Sequence, residues 1–362
     1  MKRLSVPKIG QFCLAFTLAS GFVGLQAQSP ATDAHQQAPT PEEAQARKVW
    51  REAIHALPAP SAGCFHASYP NTQWEEVACE DPKPLRFTRQ ISHGPVTEGS
   101  TPLTLGDGSD YVAQAPYGHY IKVALGEFTA WKNLKSEKGG GYPNQYTLQL
   151  NTNNDYKSPA CDGYSGCFSW QQYIISSDFY PIGGHGPTGK TETFIQDWLI
   201  GYGYKPGICP SGWTYSQPFG NASQCFRNSK AAVVYNGQIP ISNLPQLALE
   251  GSANDDGTDQ VEAFYGKDAY RVSTPDTLTD IGFDWSQAEF NVFGNGGGSG
   301  ADFNSSAGLE VVVLLDYGSS AAPICQPPSK RLGTTGETNN LNPGGCATGF
   351  DNYPYIEFIE TN

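Results

Sequence analysis

Two residues carry most of the chemistry that this sequence offers: Gln171, in the run 167–176 (CFSWQQYIIS), and Glu289, in the run 287–293 (QAEFNVF). A carboxylate made more basic by burial can take a proton from water. An amide NH2 beside it can hydrogen-bond the oxyanion that forms when that water attacks a carbonyl. Such a pair needs no metal and no covalent nucleophile. The plain alternative is that both are solvated strand residues. Other chemistry has little support. No serine stands in a G-x-S-x-G context, and no phosphate- or dinucleotide-binding glycine motif is present. The six histidines form no HExxH or HxH, and there is no CxxC, so no metal or other cofactor is expected. The acidic run 254–259 has oxygen ligands that suit calcium but lacks the EF-hand spacing, and reads as a turn.

Both runs read as β-strands. Run 167–176 is rich in aromatic and β-branched residues and has no internal Pro or Gly. Alternation puts Ser169, Gln171 and Tyr173 on one face, and Phe168, Trp170, Gln172 and Ile174 on the other. The second set is the more apolar and is expected to face the core, which leaves Gln171, not Gln172, on the open face. In run 287–293, Ala288, Phe290 and Val292 share a face, opposite Gln287, Glu289 and Asn291. In run 144–150, Tyr146, Leu148 and Leu150 share a face. Tyr173, Gln149, Trp198, Asn291 and Glu337 are the expected substrate contacts. Trp198 and Trp285 also suit a core, and Trp213 sits in a Gly/Pro loop.

The supporting elements are short strands. Met1-Lys2-Arg3 and Lys8 precede an apolar run, 12–25, and a small-residue site at Ala27, so 1–27 is expected to be a secretory signal peptide. Its removal takes away three cations and no acids, moving the net charge from −13 to −16. So acidic a chain is a poor partner for nucleic acid or anionic lipid. Eight cysteines remain, an even number that suits an exported protein. Their spacing suggests four local pairs: Cys64–Cys79, Cys161–Cys167, Cys209–Cys225 and Cys325–Cys346. Residues 28–95 form an expected N-terminal extension: a Pro/Ala/Gln-rich stretch, a helix over 41–56 with Val49, Ile54 and Leu57 as its apolar stripe, and a disulfide hairpin. That extension would be a propeptide, a lid or a packed appendage. About a dozen short strands over 96–362 predict one large β-sandwich domain.

A resemblance adds to this reading. Segments 108–113 (GSDYVA) and 126–128 (GEF), then Trp170-Gln171-Gln172-Tyr173, then Ala288-Glu289-Phe290-Asn291-Val292, resemble in order the glutamic peptidases of the eqolisin type. The resemblance spans about 105–320. It implies a concanavalin A or legume-lectin-like antiparallel jelly roll, and proteolysis in acid by a Glu/Gln pair and a bound water. The Gly that follows the catalytic Gln in that family is absent here. The chain is also similar to neprosin-type peptidases; aligned on Trp170-Gln171, that resemblance places Cys167 at the catalytic position. Segments 146–151, 170–172 and 333–341 resemble more closely a group of exported bacterial proteins of unassigned function. The expectation is therefore a secreted, monomeric, all-β protein acting on an extracellular polypeptide or glycan. It would be an acid endopeptidase with Glu289 as base and Gln171 as oxyanion partner, or a lectin-like module without chemistry.

Overall fold

The computed structural model describes residues 40–58, 62–82, 110–177, 189–255, 257–276, 279–296, 298–326 and 336–362. The expected signal peptide and the stretch 28–39 lie outside the described residues. Two nine-stranded antiparallel sheets face each other. The back sheet runs, edge to edge, Glu75–Val77, Gly63–Ser68, Asp268–Pro275, Thr258–Tyr265, Leu247–Ser252, Val123–Lys132, Gly308–Asp316, Tyr353–Thr361 and Asn342–Asp351. The front sheet runs Thr214–Phe219, Ala222–Asn228, Thr191–Tyr202, Phe168–Ser177, Tyr146–Thr152, Gln287–Gly294, Val112–Gln114 and Ile324–Gln326, with Ala232–Tyr235 also pairing on Thr191–Tyr202. A small third sheet, Thr338–Asn339, Gly300–Phe303, Glu137–Gly139 and Tyr142–Pro143, completes the fold. The expected all-β jelly-roll sandwich with one N-terminal helix is what the chain forms.

The core fills the space between the large sheets. Leu148, Leu150, Tyr173, Ile175, Ile195, Phe290 and Val292 enter it from the front sheet; Leu249, Val261, Val272, Val311, Val313 and Phe358 enter from the back. All four expected disulfides form. Four such bridges fit folding in an oxidising compartment. No described helix is long and apolar enough to cross a membrane.

The helix Pro41–His55 begins at Thr40, whose hydroxyl accepts from the Glu43 N–H at 3.2 Å, and Glu42 and Glu43 suit its positive end. Its buried stripe differs from the expected one. Val49 is 55 % exposed and Leu57 is exposed, while Trp50 and Ile54 pack on Ala67, Ala248, Phe264 and Ala269. Residues i and i+4 lie on one helix face, so Trp50 and Ile54 form a compact contact. The helix thus covers the outer face of the back sheet. Arg271, fully buried, holds its end by donating from Nη2 to the Ile54 carbonyl at 3.2 Å and from Nη1 to the Leu57 carbonyl at 3.3 Å. The strand Gly63–Ser68 pairs with Asp268–Pro275, so this part of 28–95 is built into the sandwich.

Among the described residues, Glu137 and Glu360 are buried carboxyls with no ion pair. Burial pushes Glu137 up to about 8, with the Asp302 charge adding to the effect; burial likewise pushes Glu360 up to about 8. Their ordinary value is 4.5, so each stays protonated when folded over a range in which the unfolded chain ionises. The native state then binds the extra proton, and stability falls as pH rises. The stability these groups allow is intact below about pH 4.5 and is lost progressively up to about pH 8. Thermal unfolding should therefore show a higher midpoint at pH 4.5 than at pH 8. Glu137→Gln and Glu360→Gln should each flatten that profile, raising the stability at pH 8 by roughly 1–3 kcal/mol, the scale of one buried polar group relieved. A midpoint that rises with pH would contradict this.

Candidate active site

The site grows from the register of the front sheet. Asn151 stands across from Glu289 on one side and from Gln172 on the other. Gln172 stands across from Gln196, and Gln196 across from Asn228. Directly paired residues share a face, so Glu289, Asn151, Gln172, Gln196 and Asn228 form one polar row over five strands. Their strand neighbours Phe290, Leu150, Tyr173 and Ile195 point into the core, so the row lies on the face turned away from it. Trp170, Trp198 and Phe226 form the next row on that face, with the two indoles 6.1 Å apart and stacked. Gln149 lies in the row on the other side.

One donor sets the direction of the whole network. An indole N–H can only donate. Trp198 Nε1 donates to Gln172 Oε1 at 2.9 Å and to Gln196 Oε1 at 3.0 Å. The Gln172 NH2 must then face the other way, and it donates to Gln149 Oε1 at 2.9 Å and Asn151 Oδ1 at 3.0 Å. This turns the Asn151 NH2 toward Glu289, where it donates to Oε2 at 2.8 Å. Gln196 Nε2 passes on to Asn228 Oδ1 at 2.7 Å, and Gln149 Nε2 to the Thr147 hydroxyl at 2.9 Å.

Glu289 ends this network and is fully buried. Its other oxygen, Oε1, has no hydrogen-bond partner among the described residues, and the carboxyl of Asp110 neighbours the group. Burial raises the Glu289 carboxyl above its ordinary value, while the hydrogen bonds from Asp110 and Asn151 pull it back. Asp110 is buried too, and two neighbouring buried carboxyls cannot both ionise cheaply. Asp110, itself buried, immediately precedes the strand region whose Ala113 pairs with Ala288, the neighbour of Glu289. The arrangement supplies two neighbouring buried carboxyls, one held by an oriented amide, beside a wall of amides and indoles.

Gln171 is not part of it. Its backbone stands level with Thr152 and Ala288, one residue out of step with Glu289, so the two side chains leave opposite faces of the sheet. Gln171 Nε2 donates to Asp197 Oδ1 at 2.9 Å and to Asp259 Oδ2 of the back sheet at 2.6 Å. Burial, together with the neighbouring Asp276, pushes Asp259 well above the usual carboxylate range. The expected alternation of run 167–176 is correct, but the core lies on the Gln171 side. Gln172 is the glutamine that shares a face with Glu289.

Tyr173 is likewise a core residue. Its hydroxyl donates to the Ser252 carbonyl at 3.3 Å, and its ring lies so close over Gly251 that a β-carbon there would sit 2.3 Å away. Gln149 and Trp198 do belong to the network. Asn291 turns along its own strand: Oδ1 accepts from the Val292 N–H at 2.7 Å, and Nδ2 donates to Glu360 Oε2 at 3.0 Å. Glu337 is buried just ahead of Thr338–Asn339. Asn151, Gln172 and Asp110 escape a reading by strand pattern. The first two escape because both faces of their strands are buried, and Asp110 because its pairing spans well over a hundred residues.

No family model matches the chain, and no curated protein matches it. The crystal structure of a beta-porphyranase from the human gut bacterium Bacteroides plebeius shares 10 % identity over 68 % of this chain and 86 % of that one, with a TM-score of 0.28. A superposition that loose leaves the site to be read from its own geometry.

Trp198→Phe keeps a buried ring but removes the donor that orients Gln172 and Gln196. It should cost roughly 1–3 kcal/mol, as expected when buried acceptors lose their partner. Urea unfolding measures this, and an unchanged midpoint would mean that the amides are oriented by something else.

Proposed function

We propose that the chain is an exported hydrolase that works in mild acid on the carbonyl of an extracellular polymer, a peptide bond being the best fit. The contact between the Asp110 and Glu289 carboxyls carries this reading. Glu289 is the base: burial raises its carboxyl and the Asn151 amide on Oε2 orients it, so it can accept a proton from an attacking water. Asp110 is the acid that gives a proton to the leaving group. The second N–H of Asn151 is the donor offered to a developing oxyanion, while the Gln172 amide holds Asn151 in place. The pair suits a carbonyl better than a glycosidic bond. Glycosidase carboxyls stand roughly 5–9.5 Å apart to flank a sugar, whereas these touch. Because both acids are buried, turnover includes a step that opens the face. The helix Pro41–His55 lies on the opposite sheet and is not the cover of this site.

A second reading follows from the same face. Four amides and two stacked indoles, with their hydrogen bonds mutually satisfied, also make a platform for sugar hydroxyls and rings in a lectin-like module without chemistry.

The test is to incubate purified protein with a denatured protein substrate over pH 3–8 and detect cleavage by mass spectrometry. The expected profile is bell-shaped with an acidic optimum. Activity is lost at low pH when both carboxyls are protonated and at high pH when neither is. Glu289→Gln should lower the rate by at least about 100-fold. Asp110→Asn should remove one limb of the bell. Undiminished cleavage by Glu289→Gln would overturn the assignment. No cleavage at any pH, with glycan-array binding unaffected by Glu289→Gln, would establish the second reading.

A further inference from the structure

On the far side of the sandwich, between the helix and the back sheet, His55, Glu250 and Glu262 meet. One ligating atom from each lies within 4.8 Å of the others. Glu250 and Glu262 are direct cross-strand partners, so their side chains leave the same outer face together. His55 comes from the last turn of the helix laid over them. From these positions we propose a divalent transition-metal site with His55 Nδ1 and the two carboxylates as ligands.

Three observations support it. First, the donor set is mixed nitrogen and oxygen, which suits Zn2+, Mn2+ or Co2+; calcium takes oxygen alone. Second, one donor atom of the group is unused by the protein. His55 Nδ1 is ion-paired with Glu250 Oε1 and lies 3.4 Å from Glu262 Oε1, whereas the buried Glu262 Oε2 has no hydrogen-bond partner among the described residues. The Glu262 side chain is only 2 % exposed. A buried acceptor without a donor costs free energy that a bound cation would recover. Third, the cluster borders a pocket lined by His55, Glu250, Leu125, Asp316 and Tyr353, so three protein ligands would leave an open side for water or a small ligand.

Arg271 supplies the outer support. Its Nε donates to Glu262 Oε1 at 2.8 Å, which orients that carboxylate and leaves Oε2 available. The same guanidinium holds the carbonyls of Ile54 and Leu57, so the element carrying His55 is tied to the sheet carrying both glutamates. The competing arrangement is an ion-pair network in which His55 and Arg271 neutralise the two glutamates with no metal.

The experiment uses the full chain, stripped with a chelator and titrated calorimetrically with Zn2+, Mn2+ and Ca2+. Saturable one-to-one binding of Zn2+ or Mn2+, and none of Ca2+, is expected. Glu250→Gln and Glu262→Gln should each weaken it by at least about tenfold, and His55→Ala should do the same. His66→Ala, at a separate His–Asp contact, should leave it unchanged. Because His55→Ala could loosen the helix, Co2+ absorption in the visible range is read alongside circular dichroism. Bands present in the wild type and lost in a folded Glu250→Gln variant support the site. No one-to-one binding by wild type, or binding untouched in folded Glu250→Gln and Glu262→Gln, overturns it and leaves the ion-pair network.

Discussion

The site depends on how the strand Tyr146–Thr152 is seated between its two neighbours. That register puts Asn151 opposite Glu289 and Gln172 at once. A one-residue slip of the Phe168–Ser177 strand would carry Gln172 to the core side and bring Gln171 to the outer face. The register is held from the core. Leu150 must meet Tyr173 and Phe290, and Tyr173 must lie over Gly251 of the opposite sheet. Packing on one face thus determines the chemistry displayed on the other.

The polar layer on the outer face is unusual in being as buried as the core. Polar groups taken out of water must be matched nearly completely, and here one indole N–H sets a consistent donor direction through Gln172 and Asn151 to Glu289. At its Glu289 end the network meets a second buried carboxyl, Asp110. Gln171, Asp197, Asp259 and Asp276 face the same problem between the sheets. There one amide NH2 bridges two aspartates, and Arg227 pairs with Asp197 at 2.8 Å. Burying acids with few cations suits an acidic chain whose native state is best protected at low pH.

The two outer faces solve the burial of acids differently. Over the back sheet, a helix brings His55 to Glu250 and Glu262, and Arg271 closes the group while holding the helix end. Charge there is balanced by basic side chains or by a metal. Over the front sheet the described row sets Glu289 among the amides of Asn151, Gln172, Gln196 and Asn228, with no basic side chain among these residues. One sandwich therefore carries an ion-paired face and an amide-networked face.

Much of the fold was legible in the sequence. Period-two alternation, frequent turn residues and locally spaced cysteines were enough for an all-β sandwich, the four disulfides and the faces within each strand. Read with the family resemblance, they also put forward Glu289 as a candidate base, and Gln149 and Trp198 as candidate substrate contacts. Alternation alone could not say which face met the core. Phe168, Trp170 and Ile174 look more like core than Ser169, Gln171 and Tyr173, yet both sets are buried, and only the opposite sheet decides. The helix stripe failed similarly, because Trp50 rather than Val49 matches the shape of the sheet below it. The sequence by itself therefore determined the elements, since local periodicity and turn chemistry act within a few residues. Only the tertiary structure decided that Gln172 and Asp110, not Gln171, are the companions of Glu289. Strand register and the packing of one sheet on another join residues far apart in the chain, and no local pattern records them.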